Sequence, residues 1–116
     1  MKKELLKRTK EFAIDCWRFC AKVPNSREYN AYVNQLIRSS SSVGANYRAA
    51  QKAKSTADFI NKLKIVEEEA DESLYWLEVF QEVTNNFKNE IEPLRKEGNE
   101  LLAITVASIN TARRNR

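Results

Sequence analysis

Apolar residues recur along this chain at alternating steps of three and four, the spacing that lines up one face of an α-helix. Leu5, Thr9, Phe12, Cys16, Phe19 and Val23 form such a stripe and predict a helix over residues 3–22. Pro24-Asn25-Ser26 breaks it, and either Asn25 or Ser26 can cap the next helix, with Glu28 placed to return a bond to Asn25. Tyr29, Val33, Leu36, Ser40, Val43, Tyr47 and Ala50 then predict a second helix over residues 26–53. Its middle, Ser39 to Ser42 followed by Val43 and Gly44, is poor helix material, since Gly alone costs about 1 kcal/mol against Ala. A loop is the rival reading. The apolar spacing runs through without a phase break, so the stretch is read as helix whose small residues admit a close neighbour.

Ser55 can cap a third helix over residues 55–83, with Asp58 answering from its first turn. Phe59, Leu63, Val66, Ala70, Leu74, Leu77 and Phe80 form its stripe. A fourth helix starts between residues 89 and 93, because proline is welcome only in a first turn, and runs to about residue 113 with Leu94, Leu101, Leu102, Thr105, Ile109 and Ala112 inward. Four amphipathic helices joined by short connections predict an all-α, antiparallel up-down-up-down four-helix bundle, with residues 1–116 as a single domain.

Composition agrees. Glycine and proline number 2 each, where average usage would give a chain of this length about 8 and 6, so tight turns are few. Hydrophobic residues make up 42% and charged residues 31%, too ordered a mixture for a disordered chain. No run approaches the roughly 20 apolar residues of a membrane span, and the basic N-terminus lacks the apolar stretch of a signal peptide, so a cytoplasmic location is expected.

Several chemistries fall away for want of ligands. There is no histidine, which removes Ser-His-Asp and Cys-His catalysis and the Glu-x-x-His pairs of a di-iron bundle. Gly44 and Gly98 stand too far apart for a phosphate loop. Cys16 and Cys20 lie four apart on one helix, share a face without pointing at each other, and read as core residues rather than a disulfide. No enzymatic activity, metal or cofactor is expected.

Charge is the remaining signal. Residues 1–58 hold 12 Lys and Arg against 5 Asp and Glu, while residues 59–116 hold 8 against 11. The halves should attract, either within the bundle or between subunits, or the basic half can face nucleic acid. Up-down topology brings the N-terminal lysines Lys2, Lys3, Lys7 and Lys10, with Arg8, to the same end as Arg48, Lys52 and Lys54 and as Arg113, Arg114 and Arg116. The last two groups are the candidate nucleic-acid contacts. Tyr47 is the nearest aromatic and sits on the core stripe, so base stacking has no visible support. Arg38 and Asn46 on the second helix and Glu68 and Glu72 on the third are candidates for polar pairs across the helix interface or between subunits. Tyr75 and Trp76 form an aromatic pair suited to a subunit interface.

The segment at residues 37–78, IRSSSSVGANYRAAQKAKSTADFINKLKIVEEEADESLYWLE, resembles the four-helix-bundle family of 23S rRNA intervening-sequence proteins. The family's pattern is met at Pro24, Glu28, Arg38, the run Ser39 to Ser42, Asn46, Ser55, Phe59, Glu68, Glu72 and Leu77, and the likeness spans residues 20–112. Tyr47-Arg48 departs from the Ile-Ala of many relatives, which touches subfamily rather than membership. Some members are encoded within insertions in large-subunit ribosomal RNA genes. Structurally similar relatives accompany retroelement reverse transcriptases as basic pentameric rings. The resemblance therefore implies a homo-oligomeric scaffold, a pentamer in the common case, whose basic surface meets RNA or a nucleic-acid-handling partner. The alternative is a protein–protein adaptor working through Tyr75, Trp76 and the acidic run Glu67 to Glu72, without nucleic acid.

Overall fold

The computed structural model describes residues 2–115, which form four helices and, among the described residues, no strand. They are α1 (Lys2–Lys22), α2 (Arg27–Ala50), α3 (Thr56–Val83) and α4 (Lys88–Arg114). Each helix packs on the next, and α4 closes back on α1. The pairings descend on one helix as they ascend on its neighbour. Thr9 meets Gly44 and Cys16 meets Ser40; Tyr32 lies on Trp76 and Arg38 reaches Glu69; Leu74 meets Gly98 and Gln81 meets Arg95; Arg8 pairs with Glu97 and Lys22 with Glu90. All four seams are thus antiparallel, as the up-down-up-down reading expects.

Local chemistry sets the ends. Ser26, in extended backbone, accepts the Tyr29 amide at 3.0 Å and is the cap of α2. Asn25 instead accepts from the Asn30 side chain at 2.7 Å. The far end of α2 falls at Ala50 rather than residue 53, because Lys52 and Ala53 donate back three residues, to Ala49 and Ala50, and tighten the last turn. Ser55 caps α3 by accepting the Asp58 amide at 3.0 Å. Asp58 accepts in turn from the Lys54 amide and the Lys62 ammonium. Helix α4 starts one residue before the expected window, which leaves Pro93 in its second turn. The proline is tolerable there because Pro93 and Asn89, whose carbonyl would otherwise accept from residue 93, are both exposed to water.

Most stripe positions are buried and the others, Val23, Tyr29, Val33, Phe59, Leu102 and Ala112, are half-buried against the core, while Ile60, Ser73, Ile91 and Gly98 are among the buried positions the spacing did not single out. Large rings gather where α1 and α3 end and α2 and α4 begin: Phe19 meets Phe80 edge-on at 5.2 Å and Phe87 at 5.7 Å, while Tyr29 and Tyr32 flank Phe80. Small residues hold the middle. Ser39 and Ser73 join α2 to α3 through a buried 2.9 Å hydroxyl pair, and Ser40 is buried beside Cys16. Among the described residues none has positive φ, so the glycines serve space rather than backbone conformation. A Cβ on Gly44 would stand 3.2 Å from the Thr9 carbonyl oxygen, a backbone atom; one on Gly98 would stand 2.9 Å from Leu74 Cδ2, the tip of a side chain that can turn.

Both cysteines are free and buried. Loss of water pushes the Cys20 thiol up to about 12, and burial raises Cys16 as well. Neither is a ready nucleophile at neutral pH.

The polar residues expected between α2 and α3 are only partly as read. Arg38 is half exposed on the seam rather than inward, and it bridges Glu69 at 3.0 Å and Glu72. Glu69, not Glu68, is the partner: on a helix Glu69 and Glu72 share a face three residues apart, whereas Glu68 turns to solvent. Asn46 makes no bond across the interface; its amide donates to the carbonyl and hydroxyl of Ser42, one turn back on its own helix. Trp76 is half-buried, stacked on Tyr32 at 5.6 Å with its indole N–H donating to Glu72 at 3.1 Å. Tyr75 alone of the pair is open, at 57% exposure.

The Trp76 indole and the Arg38 guanidinium hold the Glu72 carboxyl below its ordinary range. Its contribution to stability is therefore complete above the unfolded carboxyl value and is lost as pH falls through the lower folded value. Urea midpoints taken at neutral pH and at about pH 3 should drop more for the wild type than for Glu72→Gln; equal drops would mean that the bridge is not felt by the fold. Gly44→Leu should destabilise by about 2 kcal/mol or more, since α1 must be pushed away, whereas Gly98→Ala should fall within about 1 kcal/mol of wild type as helix propensity offsets the crowding of Leu74. Thermal or denaturant melting separates the two glycines, and equal losses would contradict the close α1–α2 approach. Iodoacetamide at mildly alkaline pH should label neither cysteine until the chain is unfolded.

Candidate nucleic-acid interface

The convergence of basic ends expected from topology is found, in two parts. Arg48 and Lys52, on the last turns of α2, form one wall of a groove whose other wall is α1, with Lys2 and Lys10. Leu6, Ala13, Ser41, Gly44 and Ala45 make its floor, and its volume is about 600 Å³. The groove exists because small side chains let α1 and α2 approach closely and leave nothing bulky above the contact. Lys54 lies around the corner, in a shallow hollow at the α2–α3 turn that Ala112 of α4 and Asn115 just past its end close from above. Arg113 and Arg114 are exposed on the last turn of α4 beside this hollow, and Arg114 donates to the Thr111 hydroxyl at 3.3 Å. Arg116 lies outside the described residues.

Ion pairing separates working cations from committed ones. Arg8, grouped by sequence with the N-terminal lysines, is taken by Glu97 at 2.6 Å and by Glu100. Lys22, Arg38 and Arg95 are likewise bound to carboxylates of α3 and α4. Among the described residues, Lys2, Lys10, Arg48, Lys52, Lys54, Arg113 and Arg114 enter no salt bridge, and no carboxylate lines the groove. Part of the charge difference between the two halves of the chain is thus taken up inside the bundle, and an unpaired basic face remains.

Helical spacing extends that face. Glu4, Glu11 and Asp15 of α1 fall together on a different side from Leu6, Lys10 and Ala13, and Trp17 continues the side of these three beyond the groove at steps of three and four. Trp17 is 59% exposed. It is the aromatic that the sequence reading passed over in favour of Tyr47, which is buried as its stripe position required. The signal was present in the spacing: Trp17 stands off the Phe12–Cys16–Phe19 stripe and in step with Lys10.

Chemically the arrangement offers guanidinium and ammonium donors around an apolar floor and an indole at its far end. Among the described residues no group of three or more Cys, Asp or Glu side chains gathers as a metal site would need, and no helix is long and apolar enough to cross a membrane.

The chain matches the sequence model of the 23S rRNA-intervening sequence protein family over residues 1–107. No curated protein matches it. A solved structure from Bacteroides thetaiotaomicron VPI-5482, described as a protein with unknown function from the S23 ribosomal protein family, is similar to it with a TM-score of 0.86 and 32% identity, covering 95% of this chain and 99% of that one. With nearly its whole length matched in sequence and its bundle matched in three dimensions, the chain belongs to the 23S rRNA-intervening sequence protein family.

Proposed function

We propose that this protein is a non-enzymatic, homo-oligomeric scaffold that binds RNA through the α1–α2 face and the adjoining end of the bundle. The observation that carries the reading is the groove ringed by Lys2, Lys10, Arg48 and Lys52 with no carboxylate in its lining and no ion pair made by any of the four. Cations held only to balance neighbouring acids would be paired, as Arg8 and Arg38 are. Unpaired cations on one face repel each other and favour a polyanion that releases its counterions on binding. Lys54, Arg113 and Arg114 widen the same field at the bundle end. Self-assembly is supported by the resemblance to families that form pentameric rings, and the exposed apolar side chains Ile65, Tyr75 and Val83 on α3 supply material for a contact between copies.

The adaptor reading draws on the same α3 surface, where Tyr75 is open and Glu67, Glu68 and Asp71 enter no salt bridge among the described residues. It is the weaker of the two, since Trp76 is engaged within the bundle and Arg38 holds two of the acids of the run, Glu69 and Glu72.

Four phosphate contacts predict that the logarithm of the RNA association constant falls with the logarithm of salt at a slope of about −3 to −4. Reversing Lys10, Arg48 and Lys52 to Glu should abolish most of that binding and leave the helical circular dichroism unchanged, all three being exposed. Affinity that survived the reversal would place the contact elsewhere. Light scattering on protein purified without nuclease reads mass and bound RNA together; a monomer free of nucleic acid would remove both halves of the proposal.

A further inference from the structure

We propose that Trp17 is a base-stacking platform, and that the RNA taken by the α1–α2 face is therefore single-stranded. The inference rests on the basic face described above and specifies what that face holds. Trp17 is 59% exposed, far more open than a ring used for packing, while the other indole of the chain, Trp76, is half-buried against Tyr32 and bonded to Glu72. Ile14, three residues before it on α1, is exposed too, so the ring is part of an apolar surface rather than a lone side chain.

Position supplies the partner's chemistry. Trp17 follows Lys10 by seven residues and Ala13 by four, so it stands on their side of α1, past the end of the groove and about 10 Å beyond Lys10. The acids of α1, Glu4, Glu11 and Asp15, lie on another side of the helix. A strand that lays its phosphates along Lys10, Arg48 and Lys52 reaches the indole with its next bases. Alternating cations and an open ring are what unpaired nucleotides need, because every base has a π-face and backbone charge is the only other constant feature. A duplex offers the same phosphates but keeps its bases stacked on one another, and an A-form major groove is too narrow for the ring to enter.

The test measures binding of a labelled oligo(U) of about twelve nucleotides and of a duplex of equal length by anisotropy, using the wild type, Trp17→Ala and Trp17→Phe. Trp17→Ala should weaken oligo(U) roughly five- to a hundredfold with an unchanged salt slope, while Trp17→Phe, which keeps a ring, retains most of the affinity and duplex binding ignores both changes. In Trp76→Phe protein, which leaves Trp17 as the remaining indole, oligo(U) should quench the emission and shield it from acrylamide. Wild-type affinity in Trp17→Ala overturns the stacking role and leaves the basic face standing. Failure of every form to bind RNA at low salt removes the basic-face reading, and the inference with it. Shielding of Trp17 from acrylamide without RNA, growing with protein concentration, overturns the proposal in favour of a second copy covering the indole.

Discussion

The contact of α1 with α2 at Gly44 is the constraint on which the arrangement depends. A side chain there would meet the Thr9 carbonyl, a backbone atom that cannot turn aside. Keeping the position empty draws the two helices together, buries Ser40 beside Cys16 and leaves a trough above the seam instead of a ridge. Gly and Ser in mid-helix cost propensity, roughly 1 kcal/mol for the glycine alone; packing offsets that cost, since dispersion between close surfaces accumulates over many atoms. The four serines are not equivalent. Ser39 meets Ser73 of α3, Ser40 faces α1, Ser41 floors the trough, and Ser42 holds Asn46.

The bundle is therefore anchored unequally along its 47 Å length. At one end interlocked rings around Phe80 fix the positions of four helix termini. In the middle, the Ser39–Ser73 pair and the Arg38 bridge set register between α2 and α3. The opposite end, which buries Leu5, Tyr47, Ala50 and Ile109, carries the unpaired cations. The ring cluster and the unpaired charge thus lie at different ends of the bundle.

Much of this was legible in sequence because helical periodicity is a local property: Leu36, Val43 and Tyr47 on α2, or Leu63, Ala70 and Leu77 on α3, need only each other to reveal a face. The unbroken phase through the serine run correctly outweighed its poor propensity. Partners across a seam depend instead on how two helices are turned, and one residue's error changes the answer, as Glu68 gave way to Glu69. Glycine carries no hydrophobic signal, so Gly98 was invisible as a core position although Leu74 and Phe12 close over it. Pro93 misplaced a boundary because its penalty depends on whether the carbonyl it leaves free can reach water. Of the basic surface, the convergence of helix ends followed from topology, but the removal of Arg8 by Glu97 and the exposure of Trp17 required coordinates.

The split of charge between the two helix pairs gives the bundle a permanent electric moment across its narrow dimension. Helix α1 lies diagonally from α3, so the carboxylate-rich side and the cation-rich side are separated by the thickness of the core, within extents of 21 and 20 Å. That thickness exceeds the Debye length of about 8 Å at physiological salt, so each side is felt nearly independently by anything approaching it. For the polyanion proposed as its ligand, one flank would repel and the other attract, turning the molecule toward its basic side before contact. The sorting of acids and bases along the chain is thus the source of an orienting torque on such a ligand.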